Sequence, residues 1–166
     1  MFAPAPHAFA LSESLLSLWP LTTPLLHAGV SPVAVYNIVF LLAGPLTALS
    51  TYLLAHRLTQ SRGAAIVAAL AFGFSPYRLA QLPHLQMEWA CGIPLLFLAL
   101  HAYLEMPKAR TLAAVAVCWL FTGLSNGYFL VFVPVLIATW MVWFVRERRH
   151  FLAISTTLVA ATLPLV

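Results

Sequence analysis

Long apolar runs, broken by short segments that hold almost all of the charged residues, are the feature that most constrains how this chain can fold. Only 7% of its 166 residues are charged, whereas ordinary soluble domains carry about 25%. So few polar side chains cannot cover the surface of a water-soluble fold. In lipid, every backbone polar group needs an internal partner, which a helix provides. The composition therefore predicts an all-α, polytopic transmembrane helix bundle.

The charged segments divide the chain into five apolar spans and a sixth that the end of the sequence truncates. Several of these spans are shorter than the roughly 20 residues that a full crossing needs, and the second and fourth are the weakest. Gly44-Pro45 predicts a kink in the first. Short or broken spans are tolerated where protein or water covers the backbone, which hints at a central cavity. We expect one transmembrane domain over residues 1–166, cut from a longer polytopic protein. The predicted spans are 33–58, 63–79, 89–104, 111–124 and 128–145, with a sixth from 151.

Seven of the eight Lys and Arg residues lie in three loops that alternate along the chain. Alternate loops share one side of a membrane, and loops rich in Lys and Arg face the cytoplasm. The net charge of +4 is thus explained by topology and by attraction to membrane lipid, with no nucleic-acid partner required. The basic loops are 56–62, 108–110 and 146–149, and the outer segments are 1–32, 75–88 and 125–127.

The first outer segment, 1–32, contains a predicted amphipathic helix at residues 9–19. Ser12 is its expected N-cap and Pro20 its expected end. Glu13 falls on its polar face. Glu13 is either a solvated surface residue or a carboxylate over a cavity mouth, where it would act as a base or a metal ligand.

The second outer segment, within "FSPYRLAQLPHLQMEW" at residues 74–89, gathers unusual hydrogen-bonding capacity. Pro76 is predicted to end or kink the second span and to present Tyr77 and Arg78 at the membrane surface. These two are either an aromatic-belt tyrosine and a snorkelling arginine, or ligand-binding residues. An arginine on the outer side opposes the positive-inside bias. It therefore favours a partner such as a phosphate, which a guanidinium binds bidentately.

Pro83 is predicted to open the next helix, which places His84 and Glu88 four residues apart on one face. They form either a structural pair, a proton-transfer pair or two ligands of a metal site, with Gln81 and Gln86 beside them. Two ligands are too few for a metal site. No metal-binding residue is therefore assigned, and a divalent cation stays open as a cofactor.

The third outer segment lies in "GLSNGYF", residues 123–129, where Asn126-Gly127 predicts a tight turn with positive φ. Tyr128 is either an interfacial anchor or a contact to a sugar or lipid phosphate. His101 and Glu105, near the other end of the third span, are interpreted as structural. The chain has no aspartate and none of the GxSxG, P-loop, GxGxxG or HExxH motifs, so those classes of soluble enzyme are excluded.

Two motifs match a known group. "FSPYRLAQLPHLQ" at 74–86 matches an FSPYR-x-x-x-x-x-HLQ loop, and "SNGY" at 125–128 stands where that group carries an SSGYY-like turn. On these motifs, the sequence from residue 7 to residue 145 resembles bacterial polytopic proteins of the GT-C glycosyltransferase superfamily.

The resemblance implies transfer of a sugar from a polyisoprenyl-phosphate donor on the outer face of the bacterial inner membrane. It implies that Arg78 meets the donor phosphate, while other polar side chains meet hydroxyls or share protons. The family's catalytic acidic residue, usually Asp, is expected before Met1, so we expect this fragment alone to be inactive. Taken together, the candidate catalytic residues are Glu13, His84 and Glu88, and the candidate substrate-binding residues are Tyr77, Arg78, Gln86, Asn126 and Tyr128. Glu13 does not map onto the family's catalytic Asp.

Two alternatives stay open at this point: a transporter or flippase of a lipid-linked saccharide, and a non-catalytic membrane subunit. A transporter is expected to place polar groups on broken helices near the middle of the membrane. Here the polar groups crowd the predicted outer surface. A non-catalytic subunit leaves Arg78 without an explanation.

Overall fold

A computed structural model describes residues 15–163, and this part of the chain is all-helical, with no β-strand. A single 3₁₀ turn at Leu16–Leu18 precedes the α-helices. The α-helices are α1 (Trp19–His27), α2 (Pro32–Thr59), α3 (Arg62–Gly73), α4 (Pro76–Ala80), α5 (Leu85–Glu88), α6 (Gly92–Glu105), α7 (Ala109–Ser125), α8 (Phe129–Phe144) and α9 (Arg148–Thr162).

Three helical segments are long and apolar enough to cross a membrane: Pro32–Thr59, Arg62–Ala80 and Leu85–Glu105. The second of these joins α3 to α4, and the third joins α5 to α6. Helices α7 and α8 are apolar but have only 17 and 16 residues. At about 1.5 Å per residue, they are shorter than a hydrocarbon core of about 30 Å. Within the described range, the all-helical prediction is confirmed and several helices are suited to a membrane, while the number of five full spans stays a prediction.

Serine–proline pairs fix where α2 and α4 begin. Ser31 caps α2 by accepting a hydrogen bond from the Ala34 N–H at 3.3 Å, and Ser75 caps α4 in the same way. Proline at the first helical position suits both starts, because the N–H there has no intrahelical partner. The predicted kink at Gly44-Pro45 does not interrupt α2, which continues through Pro45.

The predicted end of the N-terminal helix at Pro20 is wrong, because Pro20 lies in the first turn of α1. Proline has no N–H to donate. In the first turn of a helix that N–H would have no partner within the helix, so proline is tolerated there, whereas further along it breaks a hydrogen bond. The predicted helix at 9–19 and its N-cap Ser12 lie outside the described residues, except for Leu15 to Trp19.

Helix α2 lies at the centre of the first half of the bundle, with α3 on one side and α6 on another. The α2–α3 contact is very close at Gly73. A Cβ atom there would lie 2.7 Å from the Ala48 Cβ and 3.0 Å from the Ala48 backbone N. The second half packs around Leu96, Leu100 and Val115, which join α6 and α7 to α8 and α9.

Contacts between residues at or near the loops gather at two ends of the helices. At one end Arg57 forms an ion pair with Glu105, and the Tyr103 and His150 rings lie 5.6 Å apart. At the other end Ser125 donates a hydrogen bond to Ser17 at 2.8 Å. Arg57 of the first basic loop therefore contacts Glu105, which lies just before the second, and Ser125 of the third outer segment contacts Ser17 of the first. Which side of a membrane each end faces stays a prediction.

Candidate functional site

Arg78 lies just after the α3–α4 junction and points into the protein. The Ser75 hydroxyl oxygen accepts a hydrogen bond from the Arg78 N–H at 3.4 Å, which caps the start of α4. Only 5% of Arg78 is exposed, and no other Lys or Arg among residues 15–163 is buried. This burial favours an arginine with a partner over a snorkelling arginine at the surface.

The partner within the chain is Glu88, at the end of α5. Arg78 Nη1 donates to the Glu88 backbone oxygen at 2.7 Å and to Oε2 of its carboxylate at 3.3 Å. The Phe72 ring centroid lies 5.4 Å from the guanidinium carbon, which adds a cation–π contact. Three elements, α3, α4 and α5, thus hold one cation in place.

The Arg78–Glu88 pair uses only part of the hydrogen-bonding capacity of the two side chains. Both hydrogen bonds of the guanidinium start from Nη1, so Nε and Nη2 have no partner among residues 15–163. The Glu88 Oε1 atom is buried and also lacks a partner within that range. Because Nε and Nη2 form one of the two forks with which arginine binds oxyanions, this edge is suited to a ligand.

Two cavities meet at Arg78. One has a volume of about 140 Å³ and is lined by both Arg78 and Glu88, together with apolar residues of α2 and α3. The other has a volume of about 200 Å³ and is lined by Arg78, Tyr77 and Met87 among others. Tyr77 itself is 59% exposed, so it lies at the rim, as predicted for a surface residue.

The predicted pairing of His84 with Glu88 is wrong. Pro83 lies in a turn, His84 is the N-cap residue and α5 begins at Leu85. His84 is exposed whereas Glu88 is buried, so the two do not share a face. The opposite charge of Arg78 holds Glu88 instead.

Asn126 joins the third outer segment to the second. It is 1% exposed, and its Nδ2 donates to the Gln86 backbone oxygen at 3.2 Å and to the Met87 sulfur at 3.1 Å. The predicted positive φ at Asn126-Gly127 is wrong: Asn126 is extended, with φ −160°, and Gly127 is not among the positive-φ residues. The Asn126 Oδ1 makes the turn by accepting from the Tyr128 N–H at 2.9 Å.

The structure therefore brings together Arg78, Glu88, Gln86 and Asn126, with Tyr77, His84 and Tyr128 exposed nearby along the chain. Glu13 lies outside the described residues. Within residues 15–163, no group of three or more His, Cys, Asp or Glu is positioned to hold a metal ion.

Sequence reasoning missed the Arg78–Glu88 contact and the position of Phe72. One signal was available for the contact: these are the only charged residues between Arg62 and Glu105, and ionisable groups in apolar surroundings pair with one another. No sequence signal identified Phe72, because its place beneath the guanidinium depends on how α3 and α4 meet.

Comparisons with protein-family models, with curated proteins and with solved structures found no match.

Proposed function

We propose that this chain is part of a membrane glycosyltransferase of the GT-C type, which transfers a sugar from a polyisoprenyl-phosphate donor on the outer face of the bacterial inner membrane. One observation carries the proposal: Arg78 is a buried cation that lines two cavities, and its Nε–Nη2 edge has no partner among residues 15–163. The donor phosphate is the ligand that this fork would bind.

A phosphate suits this site better than a carboxylate or a neutral group. Glu88 already neutralises part of the Arg78 charge, and a buried cation with an open edge gains most from a ligand that has several acceptor oxygens. A lipid phosphate also presents its charge at the membrane boundary, which is where the outer segments are proposed to lie.

The chemistry of transfer fits such a residue. The acceptor hydroxyl attacks the anomeric carbon of the sugar and loses its proton, while the bond from that carbon to the phosphate oxygen breaks. The departing lipid phosphate carries the released electron pair as negative charge and needs little proton transfer. A fixed guanidinium stabilises that developing charge, which is the role we assign to Arg78.

The other side chains take separate roles in this proposal. Glu88 orients Arg78, because its carboxylate and its backbone oxygen both accept from Nη1. His84, which is exposed, is better placed than Glu88 to accept the proton of an acceptor hydroxyl, and Glu13 is a second candidate. Tyr77, Gln86, Asn126 and Tyr128 would form the rim that contacts the sugar.

Substitution of Arg78 tests the proposal. In the protein as its gene encodes it, reconstituted in phosphatidylcholine nanodiscs, Arg78→Gln is expected to weaken binding of a polyisoprenyl phosphate about 10-fold or more, because hydrogen bonds to charged groups contribute roughly 1.5–3 kcal/mol. Transfer of labelled sugar from the polyisoprenyl-phosphate donor is expected to be lost in parallel. Titration of the lipid phosphate and a sugar-transfer assay measure the two effects.

Arg62→Gln is the matched control, since Arg62 is an exposed arginine at the opposite end of α3. It is expected to bind the lipid phosphate like the wild type. Equal binding by the Arg78 and Arg62 variants contradicts the proposal. Binding without any transfer, together with movement of the lipid-linked sugar across the bilayer, would identify a flippase instead.

A further inference from the structure

A groove runs between α8 and α9, in the second half of the bundle. Both helices pack on α7 but make little direct contact with each other, and the space between them has a volume of about 610 Å³. Trp119 of α7 lines it, together with residues such as Ala138 and Met141 of α8 and Phe151 and Val159 of α9.

The lining of the α8–α9 groove is almost entirely apolar, with hydroxyls only at Ser155 and Thr162. The Thr162 oxygen accepts from Trp119 Nε1 at 2.9 Å, and its hydroxyl donates to the Leu158 backbone oxygen at 2.7 Å. Ser155 can donate to the carbonyl one turn back, as serine does within helices. Hydrocarbon therefore fills this groove without loss of a hydrogen bond.

Arg148, the first residue of α9, lies on the groove side of that helix. Four lining residues follow it by three, seven, eleven and fourteen positions, which is the spacing of one helix face. They are Phe151, Ser155, Val159 and Thr162. Because side chains tilt toward the start of their helix, the Arg148 guanidinium extends past the end of the groove and does not enter it.

The positive charge at this end of the groove is only partly neutralised. Arg149 forms an ion pair with Glu147. Arg146 and Arg148 are both exposed, and neither forms an ion pair with any residue in 15–163. An apolar groove thus ends beside two cations that have no counter-charge in the described part of the chain.

We infer that the α8–α9 groove binds an anionic phospholipid, with an acyl chain between the two helices and the negatively charged head against Arg146 and Arg148. The hydrocarbon suits the walls, and a head with a net negative charge suits the two arginines. A zwitterionic lipid brings its own cation toward them. A neighbouring protein helix would need acidic side chains at the same level.

This site is separate from the one at Arg78. The groove shares no lining residue with the two cavities at Arg78. The start of α9 lies beside the end of α6, where the His150 and Tyr103 rings are 5.6 Å apart, whereas the partner of Arg78, Glu88, precedes the start of α6. The inference therefore does not depend on the proposed function.

Photo-labelling with matched lipids tests the inference. The protein as its gene encodes it is placed in phosphatidylcholine nanodiscs that contain a small fraction of phosphatidylglycerol with a diazirine midway along one chain. After irradiation, mass spectrometry identifies the labelled peptides, and we expect label within 134–142 and 151–163. The same diazirine on phosphatidylcholine is expected to give about five-fold less label there, since a basic residue near an anionic lipid contributes about 1 kcal/mol.

Two neighbouring arginines provide a matched pair of variants. Arg148→Gln removes a cation on the groove side of α9 and is expected to lower the phosphatidylglycerol label about five-fold, to the phosphatidylcholine level. Arg149→Gln removes the same charge one position along, off that side and from a residue already paired with Glu147. It is expected to keep the label.

A second pair of variants tests the groove itself. Ala138→Trp places a large side chain in the groove and is expected to lose the label. Ala160→Trp makes the same change at an exposed position of α9 that does not line the groove, and it is expected to keep the label.

Three results would overturn the inference. Equal losses in the Arg148 and Arg149 variants would show general attraction of anionic lipid to a basic loop. Equal label from the two lipids, or label unchanged in Ala138→Trp, would show ordinary contact with the bilayer. A wild-type groove without label would show that protein covers it. Binding of the polyisoprenyl phosphate is measured separately, so failure here leaves the proposed function standing.

Discussion

The partial pairing of Arg78 with Glu88 makes each residue sensitive to loss of the other. Both side chains are 6% exposed, and removal of one partner of a buried pair leaves an uncompensated charge. We expect Glu88→Ala to lower the free energy of unfolding by about 3–5 kcal/mol. Titration of the purified protein with a denaturing detergent measures this change.

A double variant separates the cost of an unpaired charge from the contribution of the pair itself. Arg78→Met combined with Glu88→Leu removes both charges and keeps apolar volume, which is often neutral for a buried pair. It is expected to recover most of the stability that Glu88→Ala loses, while it fails to bind the lipid phosphate. A Glu88→Ala variant as stable as the wild type would show that the ion pair contributes nothing to folding.

Among the helices, the α2–α3 contact depends on the absence of a side chain at Gly73. A Cβ atom there would approach Ala48 backbone and side-chain atoms at 2.7–3.0 Å, so α3 would have to move away from α2. Gly73→Ala is expected to destabilise the protein by about 1–3 kcal/mol, as overpacking does. The midpoint of thermal unfolding in detergent measures the effect.

Gly63 provides the matched control in the same helix. A Cβ atom at Gly63 would have nothing within 4 Å, and alanine favours a helix over glycine by about 1 kcal/mol. Gly63→Ala is therefore expected to be neutral or slightly stabilising. Equal effects of the two substitutions would contradict a steric role for Gly73.

The boundaries of α2 and α7 were predictable because their signals are local, whereas the predicted helix end at Pro20 and helix start at Pro83 were wrong. The span predicted at 33–58 corresponds to α2 at Pro32–Thr59, and the span predicted at 111–124 corresponds to α7 at Ala109–Ser125. Charges end the apolar runs, and Ser31 and Ser61 cap the starts of α2 and α3. Three features were not predictable, because contacts between distant segments determine them. They are the inward direction of the Arg78 side chain, the burial of Glu88 and the extended backbone of Asn126.

For the whole molecule, the proposed orientation gives a test by cysteine accessibility. The native cysteines, Cys91 and Cys118, are first replaced by alanine. Tyr77→Cys and Tyr128→Cys are then expected to react with a membrane-impermeant maleimide in intact cells, because these two positions are 59% and 54% exposed. Position 78 is unsuitable for labelling, because Arg78 is buried.

The other end of the bundle supplies the comparison. Cysteine at 62 or 110, both exposed, is expected to react only after the membrane is permeabilised, because the basic loops are proposed to be cytoplasmic. The reverse pattern would place Arg78 toward the cytoplasm and remove the basis for transfer on the outer face. The contacts within each end of the bundle would be unaffected by that result.

The length of α2 ties this bundle to the thickness of its bilayer. Its 28 residues extend about 42 Å at about 1.5 Å per residue, well beyond a hydrocarbon layer of about 30 Å. The helix must therefore lean or protrude, and a thinner membrane makes it lean further. Because α3 and α6 are both fixed to α2, any change in that tilt moves them together and alters the depth at which Arg78 meets the lipid headgroups.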